Sequence, residues 1–222
     1  MRYKFFVTGT DTNVGKTFIT IGLLNKFKAL GFSSIAMKPV ASGGFYQQGK
    51  IYNDDALKLQ QSSSTALDYD IINPFCFLPA ISPNIAANYC DTLLSVANIS
   101  TRISDFMSNQ ADICIIEGIG GWYTPLNDKE TMADLVKKCD LPVILVLGLK
   151  LGCLNHAILT YRAMLNEEVT IKGWVVNCID PFMEAQLENI KTIQKYIKSP
   201  CLGVIKYNQN PAEIINVGPL LY

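Results

Sequence analysis

The run Phe5-Phe6-Val7-Thr8-Gly9-Thr10-Asp11-Thr12-Asn13-Val14-Gly15-Lys16-Thr17 decides the fold. An apolar strand feeds a loop that closes on Gly-Lys-Thr, and an amphipathic stretch over 18–30 follows as a helix. That order suits a nucleoside triphosphate. Loop amides and the helix N-terminus face the phosphates, Lys16 reaches the β- and γ-oxygens, and the Thr17 hydroxyl faces Mg²⁺. The strict pattern would place its first glycine at Thr10, and Gly9 stands one position early. A bare Gly-Lys-Thr at an ordinary helix start is the bland alternative; the strand before it and the helix after it argue for phosphate binding.

The rest of the chain fits one soluble α/β domain spanning 1–222. Its 222 residues are 49% hydrophobic, enough for a core, and the formal net charge is zero. No basic face is on offer to nucleic acid or anionic lipid. No apolar run reaches the ~20 residues of a membrane span, and Met1-Arg2-Tyr3-Lys4 leads straight into the first strand, so a cytoplasmic protein without a signal peptide is expected. Cysteines at 76, 90, 114, 139, 153, 178 and 201 are odd in number, contain no Cys-x-x-Cys pair and often sit in apolar runs. That usage fits reduced thiols. With His156 as the single histidine, neither a histidine metal cage nor a Ser-His-Asp triad has its parts.

Strand and helix signals alternate down the chain. Continuous Val/Ile/Leu runs predict strands over 3–7, 34–38, 113–117, 142–147, 171–177 and 201–205. Helices are expected over 18–30, 54–61, 93–107, 132–138, 154–166 and 183–197. This is the pattern of a P-loop NTPase-like fold, a mostly parallel sheet with helices on both faces. Gly31 reads as a helix stop and Ser199-Pro200 as a break before the last strand. The proline-dotted stretch 62–88 is expected to be an irregular excursion over the sheet edge.

Ligands of open parallel sheets bind beyond the carboxyl ends of the strands, and polar groups recur there. The second strand ends at Lys38-Pro39-Val40-Ala41-Ser42-Gly43, the third at Glu117-Gly118-Ile119-Gly120-Gly121, and the fifth at Asn177-Cys178-Ile179-Asp180. A carboxylate closing a buried apolar strand is costly unless paired, which favours Glu117 as a Mg²⁺ ligand. Asp54-Asp55 either cap the helix they begin or supply a second acidic ligand through Asp55. Lys38 alone is as well explained by a solvated strand end, but the loop after it brings a hydroxyl and free amides close.

Together these segments resemble the dethiobiotin synthetase family. The resemblance is carried by Gly9-Thr10-Asp11-Thr12, Val14-Gly15-Lys16-Thr17, Lys38-Pro39-Val40-Ala41-Ser42-Gly43, Asn73-Pro74, Ser82-Pro83, Glu117-Gly118-Ile119-Gly120-Gly121-Trp122, the strand 141–146 and Lys150-Leu151-Gly152-Cys153-Leu154-Asn155-His156-Ala157. It runs from the first strand to about Asn177. It implies closure of the ureido ring of 7,8-diaminopelargonic acid with CO₂ or bicarbonate, ATP and Mg²⁺. The products are dethiobiotin, ADP and phosphate, formed through a carbamate and its mixed anhydride with phosphate.

Carried over to this sequence, the resemblance implies catalytic roles for Lys16 and Lys38. It implies nucleotide binding by Asn13, Val14, Gly15, Lys16, Thr17, Phe18, Asp55, Glu117, Gly118, Ile119, Gly120, Asn177 and Cys178, with Thr17, Asp55 and Glu117 on Mg²⁺; Asp180 joins the nucleotide set through its spacing from Asn177. Thr12, Lys38 and Ser42 would contact the diamine or its carbamate. Gly152, Cys153, Leu154 and Asn155, a loop entering a helix, would capture the substrate carboxylate across a homodimer interface.

Two departures bear on the nucleotide. Asn13 stands where the family often has Glu, and Ile205-Lys206-Tyr207-Asn208 replaces a Pro-Trp-containing segment. Asn177-Cys178-Ile179-Asp180 also has the Asn-x-x-Asp spacing by which many GTPases read guanine, so the expectation is ATP with GTP open. The alternative of a partition-type ATPase switch requires an early loop lysine, where this chain has Asp11, and often a basic amphipathic C-terminal helix, where it ends Gly218-Pro219-Leu220-Leu221-Tyr222. A GTPase switch explains Asn177 and Asp180 but neither Lys38 nor the 152–156 segment.

Overall fold

The computed structural model describes residues 2–221. In chain order the elements are β1 (Tyr3–Gly9), α1 (Lys16–Ala29), β2 (Ser34–Met37), β3 (Val40–Ser42), β4 (Phe45–Gln47), β5 (Lys50–Tyr52), α2 (Asp54–Ser62) and α3 (Tyr69–Ile72). Then come β6 (Phe75–Phe77), α4 (Pro83–Tyr89), α5 (Val96–Met107), β7 (Ile113–Glu117), α6 (Met132–Cys139), β8 (Val143–Gly148) and α7 (Cys153–Asn166). The chain continues through β9 (Ile171–Asn177), α8 (Gln186–Tyr196), β10 (Cys201–Ile205), α9 (Pro211–Ile214) and a 3₁₀ turn at Gly218–Leu220.

The six strands read from apolar runs form one sheet in the order β10-β9-β8-β1-β7-β2. Every pairing in it is parallel. Within each buried strand the side chains still alternate. Phe5 and Val7 join Ile113, Ile115, Ile144 and Val146 in the core under α1. Phe6 joins Cys114, Ile116, Val143 and Leu145 in the core on the opposite face. A sheet covered on both faces therefore needs apolar residues at every position, which is why these strands carry no alternating polar signal. β1 lies at the sheet centre between β7 and β8. The connections turn in opposite directions there, and this puts the β1–α1 loop at the crevice of the sheet.

Several local readings are corrected. α1 starts at Lys16, because Gly15 in the left-handed region (φ 89°) caps it. It is also less two-faced than an amphipathic helix, since it packs against the sheet, α2 and α9. α5 starts at Val96, where the Ser95 side chain accepts from the Asn98 amide, and α8 starts only at Gln186, after Ala185 at φ 53°. The stretch 62–88 is not irregular: it holds α3, β6 and α4, and β6 pairs in parallel with β3. β4 and β5 form a hairpin through Gln48 and Gly49, both at positive φ, the geometry of a two-residue turn whose twist matches its strands. All seven cysteines are free thiols, and among the described residues no helix is long and apolar enough to cross a membrane.

Candidate active site

Three buried strand ends converge where β1, β7 and β2 finish. Lys38, one residue past β2, donates from Nζ to Asp55 Oδ2 at 2.8 Å and to Glu117 Oε1 at 2.9 Å. Thr17 Oγ1 donates to the same Glu117 oxygen at 2.7 Å. Glu117 is fully buried, and its second oxygen, Oε2, has no hydrogen-bond partner among the described residues. A buried carboxylate is tolerable only when compensated, and the Lys38 ammonium supplies that compensation. Burial alone would lower the Lys38 pKa. The Glu117 and Asp55 charges outweigh it and hold the ammonium above its ordinary range. Burial likewise works against ionised Asp55, but Lys38 and Thr17 bring its pKa below the usual value.

The sequence-read ligand set Thr17, Asp55 and Glu117 is therefore held together, Asp55 and Glu117 by the Lys38 ammonium and Thr17 by its bond to Glu117. Its donors are hard oxygens, one of them unpaired, which suits Mg²⁺. Among the described residues no group of three or more His, Cys, Asp or Glu forms a metal cage. A magnesium that keeps waters and phosphate oxygens needs only one or two carboxylates.

Around this point the loop wraps tightly. Gly15 cannot carry a side chain: its φ is positive and a Cβ would run into Asn177 Nδ2. Asn177 itself donates to the Val14 carbonyl at 3.0 Å, tying the end of β9 to the loop. Lys16 Nζ donates to the carbonyls of Asp11 (2.9 Å) and Gly120 (2.6 Å). Burial pushes its pKa down to about 8, with Glu117 opposing and Lys38 adding to the shift. Lys150, after β8, pairs with Asp11 at 3.2 Å on the loop's outer side.

A cavity of about 1170 Å³ opens over these groups. Thr12, Asn13, Gly15, Lys16, Thr17, Phe18, Lys38, Ser42, Asp55, Ile119 and Gly120 all line it, so the structure brings most of the sequence-read residues together. Ser42 Oγ is buried with no partner among the described residues. Val14 and Gly118 sit beneath the loop as packing: Val14 is fully buried, and a Cβ on Gly118 would press on the Phe6 ring. The sequence reading missed the far wall, built by Ala80–Pro83 together with Thr124, Pro125 and Lys58. Ser82-Pro83 was its only visible signal, a helix start.

A second cavity of about 600 Å³ continues from the first, with Phe18 and Ile21 in both walls. Asn177 and Cys178 line it, with Asn25, Tyr207, Asn208 and Gln209 across from them. Asp180 lies outside this lining, its Oδ1 accepting from the Phe182 amide at 3.0 Å. Gly152, Cys153, Leu154 and Asn155 line neither cavity. They stand at the start of α7, where Gly152 is at φ 89° and no side chain caps the first turn.

Comparison with known proteins bears on the family. A family model described as an AAA domain matches residues 3–213. The ATP-dependent dethiobiotin synthetase of Pseudomonas aeruginosa is 43% identical over 199 residues, covering 90% of this chain and 87% of that protein. That of Aeromonas hydrophila is 38% identical over 223 residues, covering 98% and 99%. Among solved structures, cell division protein FtsY from Thermotoga maritima has a TM-score of 0.55 at 12% identity, covering 99% of this chain and 66% of that one. Signal recognition particle receptor FtsY from Elizabethkingia anophelis, in complex with GDP, has a TM-score of 0.58 at 14% identity, covering 99% and 61%. At such identities the FtsY likeness shows a P-loop NTPase fold and nothing finer, whereas the synthetase relatives match nearly end to end: the chain belongs to the ATP-dependent dethiobiotin synthetase family of ligases.

Proposed function

We propose that this enzyme joins CO₂ to 7,8-diaminopelargonic acid and closes the ureido ring of dethiobiotin at the expense of ATP. The observation that supports the reading is the Lys38–Asp55–Glu117–Thr17 cluster, a lysine bonded to two carboxylates beside the phosphate loop. In the reaction one substrate amine takes up CO₂ as a carbamate, and a carbamate oxygen attacks the γ-phosphorus of ATP, releasing ADP. The second amine then attacks the carbamoyl carbon and expels phosphate, which leaves with that carbamate oxygen.

The protein's own work is positional and electrostatic. Loop amides of residues 13–18 and Lys16 hold the triphosphate, and Lys16 exchanges two carbonyl partners for phosphate oxygens. Lys38 faces the cavity beside Ser42 and neutralises charge where the carbamate and γ-phosphate meet. Thr12 and the unpaired Ser42 hydroxyl contact the diamine or its carbamate. Thr17, Asp55 and Glu117 would hold Mg²⁺, which would neutralise charge on the phosphate oxygens. Asn177 and Cys178 face the base, with Gly118, Ile119 and Gly120 beside the phosphates.

Residues 152–155 serve the substrate carboxylate in a partner's cavity, so the working unit is a homodimer. Their uncapped helix start and their absence from the cavities of their own chain support this. Free thiols throughout suit a reducing, cytoplasmic setting. The test is phosphate release from ATP with Mg²⁺ and bicarbonate, with and without the diamine. Diamine-dependent release with dethiobiotin found by mass is expected; release indifferent to the diamine overturns the reading.

A further inference from the structure

Lys38 stands one residue beyond the last register pair of its strand, Met37↔Ile116. The sheet therefore does not orient its backbone, and another set of groups does. Its N–H donates to the Ile72 carbonyl at 2.9 Å, and its carbonyl accepts from Asn73 Nδ2 at 2.6 Å. Because a carbonyl can only accept, Asn73 must turn its NH₂ toward Lys38 and its oxygen away. That oxygen, Oδ1, accepts from the Tyr69 hydroxyl at 2.9 Å. The hydroxyl in turn accepts from the Asn53 N–H at 2.7 Å.

Asn53 is the residue that starts α2. Its side chain accepts from the Ala56 amide at 3.2 Å, fixing the first turn that carries Asp55, and its Nδ2 lies 3.4 Å from the Ser42 carbonyl. Tyr69, Asn73 and Asn53 are all buried. The chain of bonds has a single polarity: the phenol proton points to Asn73 Oδ1 at 2.9 Å, with Cys76 Sγ a weaker partner of the same hydroxyl at 4.0 Å. Its two ends are the backbone of Lys38 and the helix start bearing Asp55, whose side chains meet at 2.8 Å, Nζ to Oδ2.

We propose that Asn53, Tyr69 and Asn73 form a buried positioning relay that sets Lys38 and Asp55 against each other, so that breaking it impairs metal binding and turnover while sparing metal-free nucleotide binding. This rests on the reading that Lys38 and Asp55 serve the reaction. The three residues line neither of the two cavities described above and are not catalytic; they act through the groups they hold, as outer-shell partners do at metal sites. The relay also gives Asn73-Pro74, part of the family resemblance, a physical task. The asparagine supplies a donor that a main-chain turn there would not, and the proline starts the segment that returns to pair with β3.

The test uses the full-length enzyme with Tyr69→Phe, which keeps the ring and removes only the hydroxyl, and with Asn73→Leu. Calorimetry measures Mn²⁺ affinity in the ADP complex and ADP affinity in EDTA, alongside thermal melting and steady-state kinetics. Each folded variant is expected to lose roughly 10–100-fold in Mn²⁺ affinity and roughly 10²-fold or less in kcat, with ADP affinity in EDTA unchanged. A folded Tyr69→Phe with parental Mn²⁺ affinity and kcat overturns the proposal. So does an equal loss of ADP affinity in EDTA, the mark of general damage. If Asn73→Leu does not fold, Tyr69→Phe decides alone; failure of both to fold assigns the relay to stability and also overturns the proposal. A parent enzyme without diamine-dependent turnover would overturn the functional reading instead, and the Mn²⁺ measurement would still report on the relay.

Discussion

The two ends of the nucleotide cleft are built on opposite principles. At the phosphate end, charges are buried and locked together: Glu117 is inaccessible, Lys38 bridges two carboxylates, and Thr17 shares an oxygen with it. At the other end, the buried Asn177 of β9 and the mostly exposed amide and aromatic side chains of the 207–210 segment face an open cavity with no ionised group in the lining. The first arrangement is preorganised for a fixed charge pattern, which every nucleoside triphosphate shares. The second offers donors and acceptors that suit more than one base, since a carboxamide can present either. On the proposed reading, reaction chemistry places strict demands on the first region and few on the second, which holds Tyr207 and Asn208 of the departing 205–208 segment.

The contrast breaks most visibly at Lys38. Lys38→Ala is expected to cost about 10³-fold in kcat, the scale of losing a group aimed at developing charge. It is also expected to destabilise the free protein by about 3 kcal/mol, since Glu117 would stay buried without its cation. Metal-free nucleotide binding should survive. Single-turnover rates, a melting curve and ADP titration in EDTA check the three parts, and near-parental turnover would remove Lys38 from the mechanism.

Glu117→Gln keeps the shape and removes the charge. The half-saturating Mg²⁺ concentration should rise by at least the roughly 10–100-fold that outer-shell losses produce at metal sites. An unchanged metal titration would make Glu117 a structural partner of Lys38 only.

A smaller effect concerns pH. Lys16 titrates near 8 in the free enzyme, lowered mainly by burial. It is charged at pH 7, so binding there needs no proton. Above about 8 the free protein has lost the proton that the bound triphosphate requires. Nucleotide affinity in EDTA should fall by up to about tenfold per pH unit, with proton uptake on binding. Calorimetry at pH 9 in two buffers of different ionisation enthalpy measures the uptake; a flat affinity from pH 7 to 9.5 would contradict it.

The smallest effect belongs to the base end. Asp180 lies outside the cavity and accepts from Phe182, so Asp180→Ala should change ATP and GTP affinities equally, by about twofold or less. A selective loss of GTP would restore a guanine-reading role. Asn177→Ala should cost more, about 1 kcal/mol for either nucleotide, because Asn177 also holds the Val14 carbonyl of the loop.

The same contrast governs how much the sequence disclosed. Six strands were legible because burial on both faces demands uninterrupted apolar runs. Lys16 and Thr17 were marked by the Gly-Lys-Thr motif, Lys38 and Glu117 by their places at the ends of apolar strands, and Asp55 by its place at a helix start; the structure brings Thr17, Lys38, Asp55 and Glu117 into contact. The short elements were not. β4 and β5 carry exposed or half-exposed residues and turn on Gln48-Gly49, which lacks the Asn or Asp that usually marks such a hairpin. α3 spans four residues, too few to show a helical period. Tyr69 was silent for a related reason: a buried hydroxyl far from a motif looks like any surface tyrosine until its partners are placed, and Asn73-Pro74 showed as a matching segment without its task. The cavity wall at 80–83 depends on the β3–β6 pairing, a contact between segments that local pattern does not encode.

The central claim is that the buried cluster brings a carbamate oxygen to the γ-phosphorus, and isotope transfer tests it most directly. The enzyme would be supplied with ATP, Mg²⁺, 7,8-diaminopelargonic acid and freshly dissolved ¹⁸O-labelled CO₂, with the released phosphate analysed by mass. The account predicts one labelled oxygen per phosphate formed with dethiobiotin. Unlabelled phosphate would mean that water, not a carbamate, attacks ATP, and would contradict it.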